Sequence, residues 1–133
     1  LALAVSLNHL GENNDNEKAI LLGKTLDEAT TSFLMNNKSP SRKVNELDNR
    51  GSHFYLAMYW AKELKEQNEN TELSNTFDKV YESMMANENV ILNELNDAQG
   101  SPIDLKGYYL PNDQLTSEQM RASKTFNQII NSL

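Results

Sequence analysis

The residues best equipped for chemistry sit between two helical stretches, in Lys38-Ser-Pro-Ser-Arg-Lys43 and the following Asp48-Asn-Arg-Gly-Ser-His-Phe54. The whole chain has a formal charge of -7. Residues 38–53 run against it, with Lys38, Arg42, Lys43 and Arg50 facing only Glu46 and Asp48. The stretch adds three hydroxyls, Ser39, Ser41 and Ser52, and the imidazole of His53. A guanidinium offers a rigid fork of donors that fits a phosphate or a carboxylate. The free N–H groups at the start of the next helix favour the same charge. These residues read as an anion-binding elbow between helices. The plainer alternative is a solvated basic loop that caps a helix.

Little else in the chain suggests a reaction. His9 and His53 are the only histidines, and neither stands in a Glu-x-x-His or His-Glu-x-x-His spacing, so neither a carboxylate-bridged di-metal bundle nor a zinc protease is supported. His9 reads as a structural residue on a helix. There is no Gly-x-Gly-x-x-Gly or Walker sequence, so a nucleotide phosphate would be held by side chains and a helix start. Without cysteine the chain has no disulfide, thiolate ligand or thiol nucleophile, which fits a reducing cytosol. The pI of about 4.8 argues against a general nucleic-acid binder, which needs a broad basic surface. The paired Met84-Met85 and the aromatics Phe54, Tyr55, Tyr59 and Trp60 read as core, not as a cofactor box.

The elements that must carry the elbow are helical. The chain is long enough to bury a core, and its mean hydropathy of -0.64 is that of a polar globular protein. Leu3, Leu7 and Leu10 have helical spacing in residues 1–10, with Gly11 as a stop. This apolar opening is too short to cross a membrane and has no basic segment before it. It also lacks a cap, which suggests a helix continued from a preceding segment. In residues 16–36, Ala19, Leu22, Leu26, Ala29 and Phe33 make one stripe. Pro40 forbids that helix to continue, and Asp48 or Asn49 caps the next. Residues 50–67 are apolar over most of their circumference, as a central helix would be. Residues 71–97 make the longest helix, with a possible break at Asn87, Glu88 and Asn89. Residues 101–113 are irregular, and a last helix starts at Ser117 and Glu118. The expected fold is all-α, a bundle of four to five helices, with residues 1–133 as one helical segment.

The same elbow carries a resemblance. The run Asn37-Lys-Ser-Pro-Ser-Arg-Lys-Val44, then Glu46-Leu-Asp-Asn-Arg-Gly-Ser-His-Phe-Tyr-Leu-Ala57 and Tyr59-Trp-Ala61, resembles the C-terminal region of the monomeric type of NADP-dependent isocitrate dehydrogenase. Gly107-Tyr-Tyr-Leu-Pro111, Met120-Arg121 and Thr125-Phe-Asn127 are similar to that family's terminus, and the opening Leu-Ala-Leu-Ala is similar to a helix that continues from its preceding segment. Ala122 departs from the pattern, where the family has proline. The resemblance implies a cytoplasmic enzyme that decarboxylates isocitrate to 2-oxoglutarate with NADP and Mg²⁺ or Mn²⁺. It also implies that this chain is a fragment of the smaller of two domains, partnered by the remainder of the same polypeptide. Arg42 is then the main contact to the NADP 2′-phosphate, with Ser41, Lys43, Arg50 and His53 as weaker candidates. Metal carboxylates and catalytic residues would lie outside the fragment, which alone should be inactive. The rival expectation is a non-catalytic helical module that binds an anion or a partner through the elbow, without nucleic acid or membrane.

Overall fold

The computed structural model describes all 133 residues and contains helices, turns and no strand. Seven helices follow in order: α1 (Ala2–Asn13), α2 (Glu17–Met35), α3 (Asn49–Glu66), α4 (Thr71–Ala86), α5 (Glu88–Asp97), α6 (Asp113–Met120) and α7 (Lys124–Asn131). The all-helical reading holds. The count exceeds four to five because two expected helices are divided. Asn87 leaves helical geometry between α4 and α5, and its side chain donates to the Ser83 carbonyl at 2.8 Å. The second division is at residues 121–123. There Ser123 caps α7 by accepting from the Phe126 N–H, while Asn112, well before Ser117, caps α6.

α2 packs between α1 and α3, and α3 between α2 and α4. This order explains which side chains are buried. Flanked on two sides, α2 buries Leu21, Gly23 and Thr25 as well as Ala19, Leu26 and Ala29 of the predicted stripe. In α1 the contact is made by Ala4 and Gly11, whereas Leu3 and Leu10 stay exposed. Gly11 does not end the helix. A Cβ there would collide with Ile20 and approach the Asn16 carbonyl to 2.9 Å, so the missing side chain is what lets α1 and α2 meet. At Gly23 a Cβ would meet Asn8 and lie 2.8 Å from the Ala4 carbonyl, on the same contact.

The main core is built on α3. Phe54, Tyr55, Met58 and Ala61 pack with Val80 and Met84 of α4, Ile91 and Leu95 of α5, and Ile129 of α7. Phe54 and Ile91 are completely buried. Polar groups at the helix contacts have partners. The Trp60 indole N–H donates to Thr25 Oγ1 at 3.1 Å, and that hydroxyl donates to the Leu21 carbonyl. The Tyr55 hydroxyl donates to Glu88 at 2.6 Å, and burial together with this carboxylate raises the Tyr55 pKa. No helix is long and apolar enough to cross a membrane.

Candidate functional site

The elbow begins where α2 unwinds. Asn37 takes a positive φ of 53°, which lets its N–H reach the Leu34 carbonyl and the Lys38 N–H reach that of Phe33. Asparagine tolerates this conformation better than most residues, and the paired bonds close the helix end. Pro40 then keeps the chain extended. Ser41 N–H donates to the Leu47 carbonyl at 2.7 Å, closing the intervening residues into a loop. Asp48 accepts from the Gly51 N–H and so caps α3.

Neighbouring elements hold this loop from several sides. Ser52, in the first turn of α3, donates to the Lys38 carbonyl at 2.6 Å. The Lys38 ammonium lies 3.9 Å from the centre of the Tyr55 ring, in cation–π geometry. Gln99, just beyond α5, accepts from the Asn45 N–H at 2.8 Å and donates to the Glu46 carbonyl at 3.0 Å. Gly100 follows with a φ of 79°, and a Cβ there would press on Val44 at 3.2 Å. The loop backbone is thus fixed while its tip faces solvent.

The five candidate residues differ in what they have left to offer. Arg42 is exposed and has neither a hydrogen bond nor an ion pair, so its donors are free for an anion. Ser41 donates to Glu46 at 2.5 Å and accepts from the Lys43 N–H. Lys43 reaches Glu46 at 3.7 Å, a loose and exposed pair. Arg50 is engaged within the chain. It makes two contacts to Asp48, at 2.8 and 2.7 Å, and donates to the Gln119 carbonyl at 2.9 Å. His53 has Nδ1 2.6 Å from the Asn49 carbonyl, which assigns the proton to that nitrogen and leaves Nε2 open.

These residues fall into two groups. Arg42, Lys43 and Ser41 belong to the loop. Arg50 and His53 instead line a cleft of about 450 Å³, floored by Leu95, Met120, Phe126 and Ile130 and edged by Arg121. No three His, Asp or Glu side chains converge to hold a metal ion. Two supporting groups lay outside the sequence reading. One is Gln99, whose role depends on where α5 ends relative to the loop. The other is Glu94, which accepts from Ser123 Oγ at 2.6 Å, Thr125 N–H at 3.1 Å and Thr125 Oγ1 at 2.9 Å. Burial works against the Glu94 carboxylate, but the bonds from Ser123 and Thr125 outweigh it and hold its pKa below the usual range. Only the Ser-x-Thr pattern at a helix start could have signalled this clasp.

The structure is thus an all-helical chain that presents the unpaired guanidinium of Arg42 on a braced loop. The sequence model of monomeric isocitrate dehydrogenase matches residues 1–131, and the chain belongs to that family. It is 53% identical over its whole length to isocitrate dehydrogenase (NADP) 2 of a Psychrobacter species, covering 18% of that protein. It is 55% identical over 127 residues, 96% of this chain, to isocitrate dehydrogenase (NADP) of Azotobacter vinelandii, covering 17% of it. The Mycobacterium tuberculosis isocitrate dehydrogenase (NADP) 2 is 51% identical over the same share of this chain, again with 17% of its own length covered. The chain therefore spans less than a fifth of the curated relatives it matches.

Proposed function

We propose that these residues form the C-terminal portion of a cytoplasmic NADP-dependent isocitrate dehydrogenase, and that the elbow supplies part of its NADP 2′-phosphate site. The observation that carries this reading is Arg42. It is an exposed, unpaired guanidinium on a loop restrained by Ser52, Gln99 and the Ser41–Leu47 bond. A dianionic phosphate on a ribose suits such a fork, and because NAD lacks that phosphate the contact would select NADP. The restraint matters because a loop already in shape loses less freedom when the ligand arrives. Lys43 can add charge by leaving its loose pair with Glu46. Ser41 supports the loop, and Arg50 ties it to the α6 end.

In this reading NADP is the hydride acceptor for isocitrate, and residues outside the chain hold the Mg²⁺ or Mn²⁺. The remainder of the same polypeptide is the necessary partner, with residues 1–133 as one helical segment of it. The 133 residues alone should show no isocitrate-dependent NADP reduction. The test is Arg42→Ala in the full-length gene product. Losing one charged hydrogen-bonded contact should raise the KM for NADP by about 1.5–3 kcal/mol, roughly ten- to 150-fold, with little change for NAD. An unchanged preference for NADP over NAD would remove Arg42 from the site.

A further inference from the structure

The most exposed large apolar side chains in the protein are consecutive. Tyr108, Tyr109 and Leu110 are 90%, 91% and 89% exposed. A turn is ordinarily built of Gly, Pro, Asn, Asp and Ser, and three large apolar residues at its tip are out of place in water. Yet this segment has a defined shape. The Asn112 N–H donates to the Leu105 carbonyl at 2.8 Å, closing the base. Asp104 accepts from the Lys106 N–H at 2.9 Å and pairs with its ammonium, and Lys106 takes a φ of 61°. A Cβ at Gly107 would lie 2.5 Å from the Leu110 carbonyl, so the chain returns on itself where only glycine leaves room. The two tyrosine rings meet edge to face, with centroids 5.0 Å apart.

We infer that this turn is a preformed apolar hook that seats in a socket on the remainder of the same polypeptide. The inference rests on the reading of these residues as part of a longer chain. Two observations favour that occupant. The relatives extend far beyond the matched segment, which is 18% of the Psychrobacter protein, so ample surface exists elsewhere in such a chain. A second copy of this chain would bring another formal charge of -7 to the contact, which opposes association. The socket is apolar at its base, to take the rings and Leu110, and has hydrogen-bonding groups at its rim for the two phenols, because a buried Tyr hydroxyl needs a partner.

Hydroxyl-radical footprinting of the full-length gene product, read by mass spectrometry at Tyr108, Tyr109 and Leu110, tests this directly. Sedimentation velocity on the same samples reports the oligomeric state. The expected result is oxidation about fivefold or more slower than in the urea-unfolded protein, in a species that sediments as a monomer, as side-chain burial requires. Oxidation at the unfolded rate would overturn the inference. So would protection found only in a dimer, which would assign the hook to a second copy, or a gene that encodes no further segment. Activity is a separate readout. A full chain that protects the hook but fails to reduce NADP with isocitrate would sink the functional reading and leave the docking intact.

Discussion

Arg50 offers the sharpest test of how the elbow is built, because its chemistry suits a ligand while its geometry serves the fold. Its side chain is 14% exposed and its Asp48 partner 23%, so the pair is neither fully solvated nor fully dry. Arg50→Met keeps much of the apolar stem and removes three contacts: two to Asp48 and one to the Gln119 carbonyl. A solvated pair contributes about 0–1 kcal/mol, and breaking a fully buried one by removing one partner costs about 3–5 kcal/mol. At this partial exposure the expected loss is about 2–3 kcal/mol. The carbonyl of Gln119 can turn partly to water, which holds the figure below the sum of three charged hydrogen bonds. Asp48→Asn keeps Oδ1 for the Gly51 N–H but turns an amide NH2 toward Arg50 in place of Oδ2, so it also breaks the pair and should cost about 2–3 kcal/mol. Urea unfolding of the 133-residue chain and its variants measures these values, and the double variant isolates the coupling. An Arg50→Met variant within about 0.5 kcal/mol of the parent would refute the reasoning, since a change that small is typical of an unconnected surface residue. A large rise in the KM for NADP at unchanged stability would likewise show that the guanidinium serves the ligand.

Two further outcomes are expected. The folded pKa of Glu94 lies below its ordinary value of 4.5, so the stability from its three hydrogen bonds is complete above that value and lost as pH falls through the lower, folded one. Urea midpoints taken between about pH 6 and about pH 3 should drop more steeply for the parent than for Glu94→Gln, and equal slopes would show that the clasp does not titrate. Gly23→Ala should lower stability by about 1 kcal/mol in the same assay. The helix-propensity gain of about 0.8–1 kcal/mol is smaller than the cost of pressing a methyl onto the Ala4 backbone carbonyl, and a stabilised variant would mean that α1 can move aside.

The course of the chain past the loop shows how local and distant information divide. A cap at Asp48 or Asn49, a stop at Pro40 and a weak point within Asn87 to Asn89 are local matters, set by a few neighbouring dihedrals and hydrogen bonds, and are legible in the linear order; the structure selects Asp48 and Asn87. The interruption at residues 121–123 was not. It depends on Glu94, about thirty residues earlier, gathering Ser123 and Thr125. The helical spacing of Leu3, Leu7 and Leu10 does not say which face of α1 packs: close approach of two helices puts Ala4 and Gly11 at the contact and leaves Leu3 and Leu10 exposed, and hydrophobicity alone ranks such small residues too low.

Composition and pattern by themselves determined an all-helical chain, the basic elbow against an acidic background, and the family resemblance carried by the elbow motif. These depend on residue type and spacing, which the linear order records in full. Only the tertiary structure decided which cations of that elbow are free. Arg42 and Arg50 are the same residue type eight positions apart, yet one faces solvent without a partner and the other is bound to Asp48 and to the end of α6. A guanidinium's availability depends on what the fold places within hydrogen-bond reach, and for Arg50 that includes a carbonyl sixty-nine residues away.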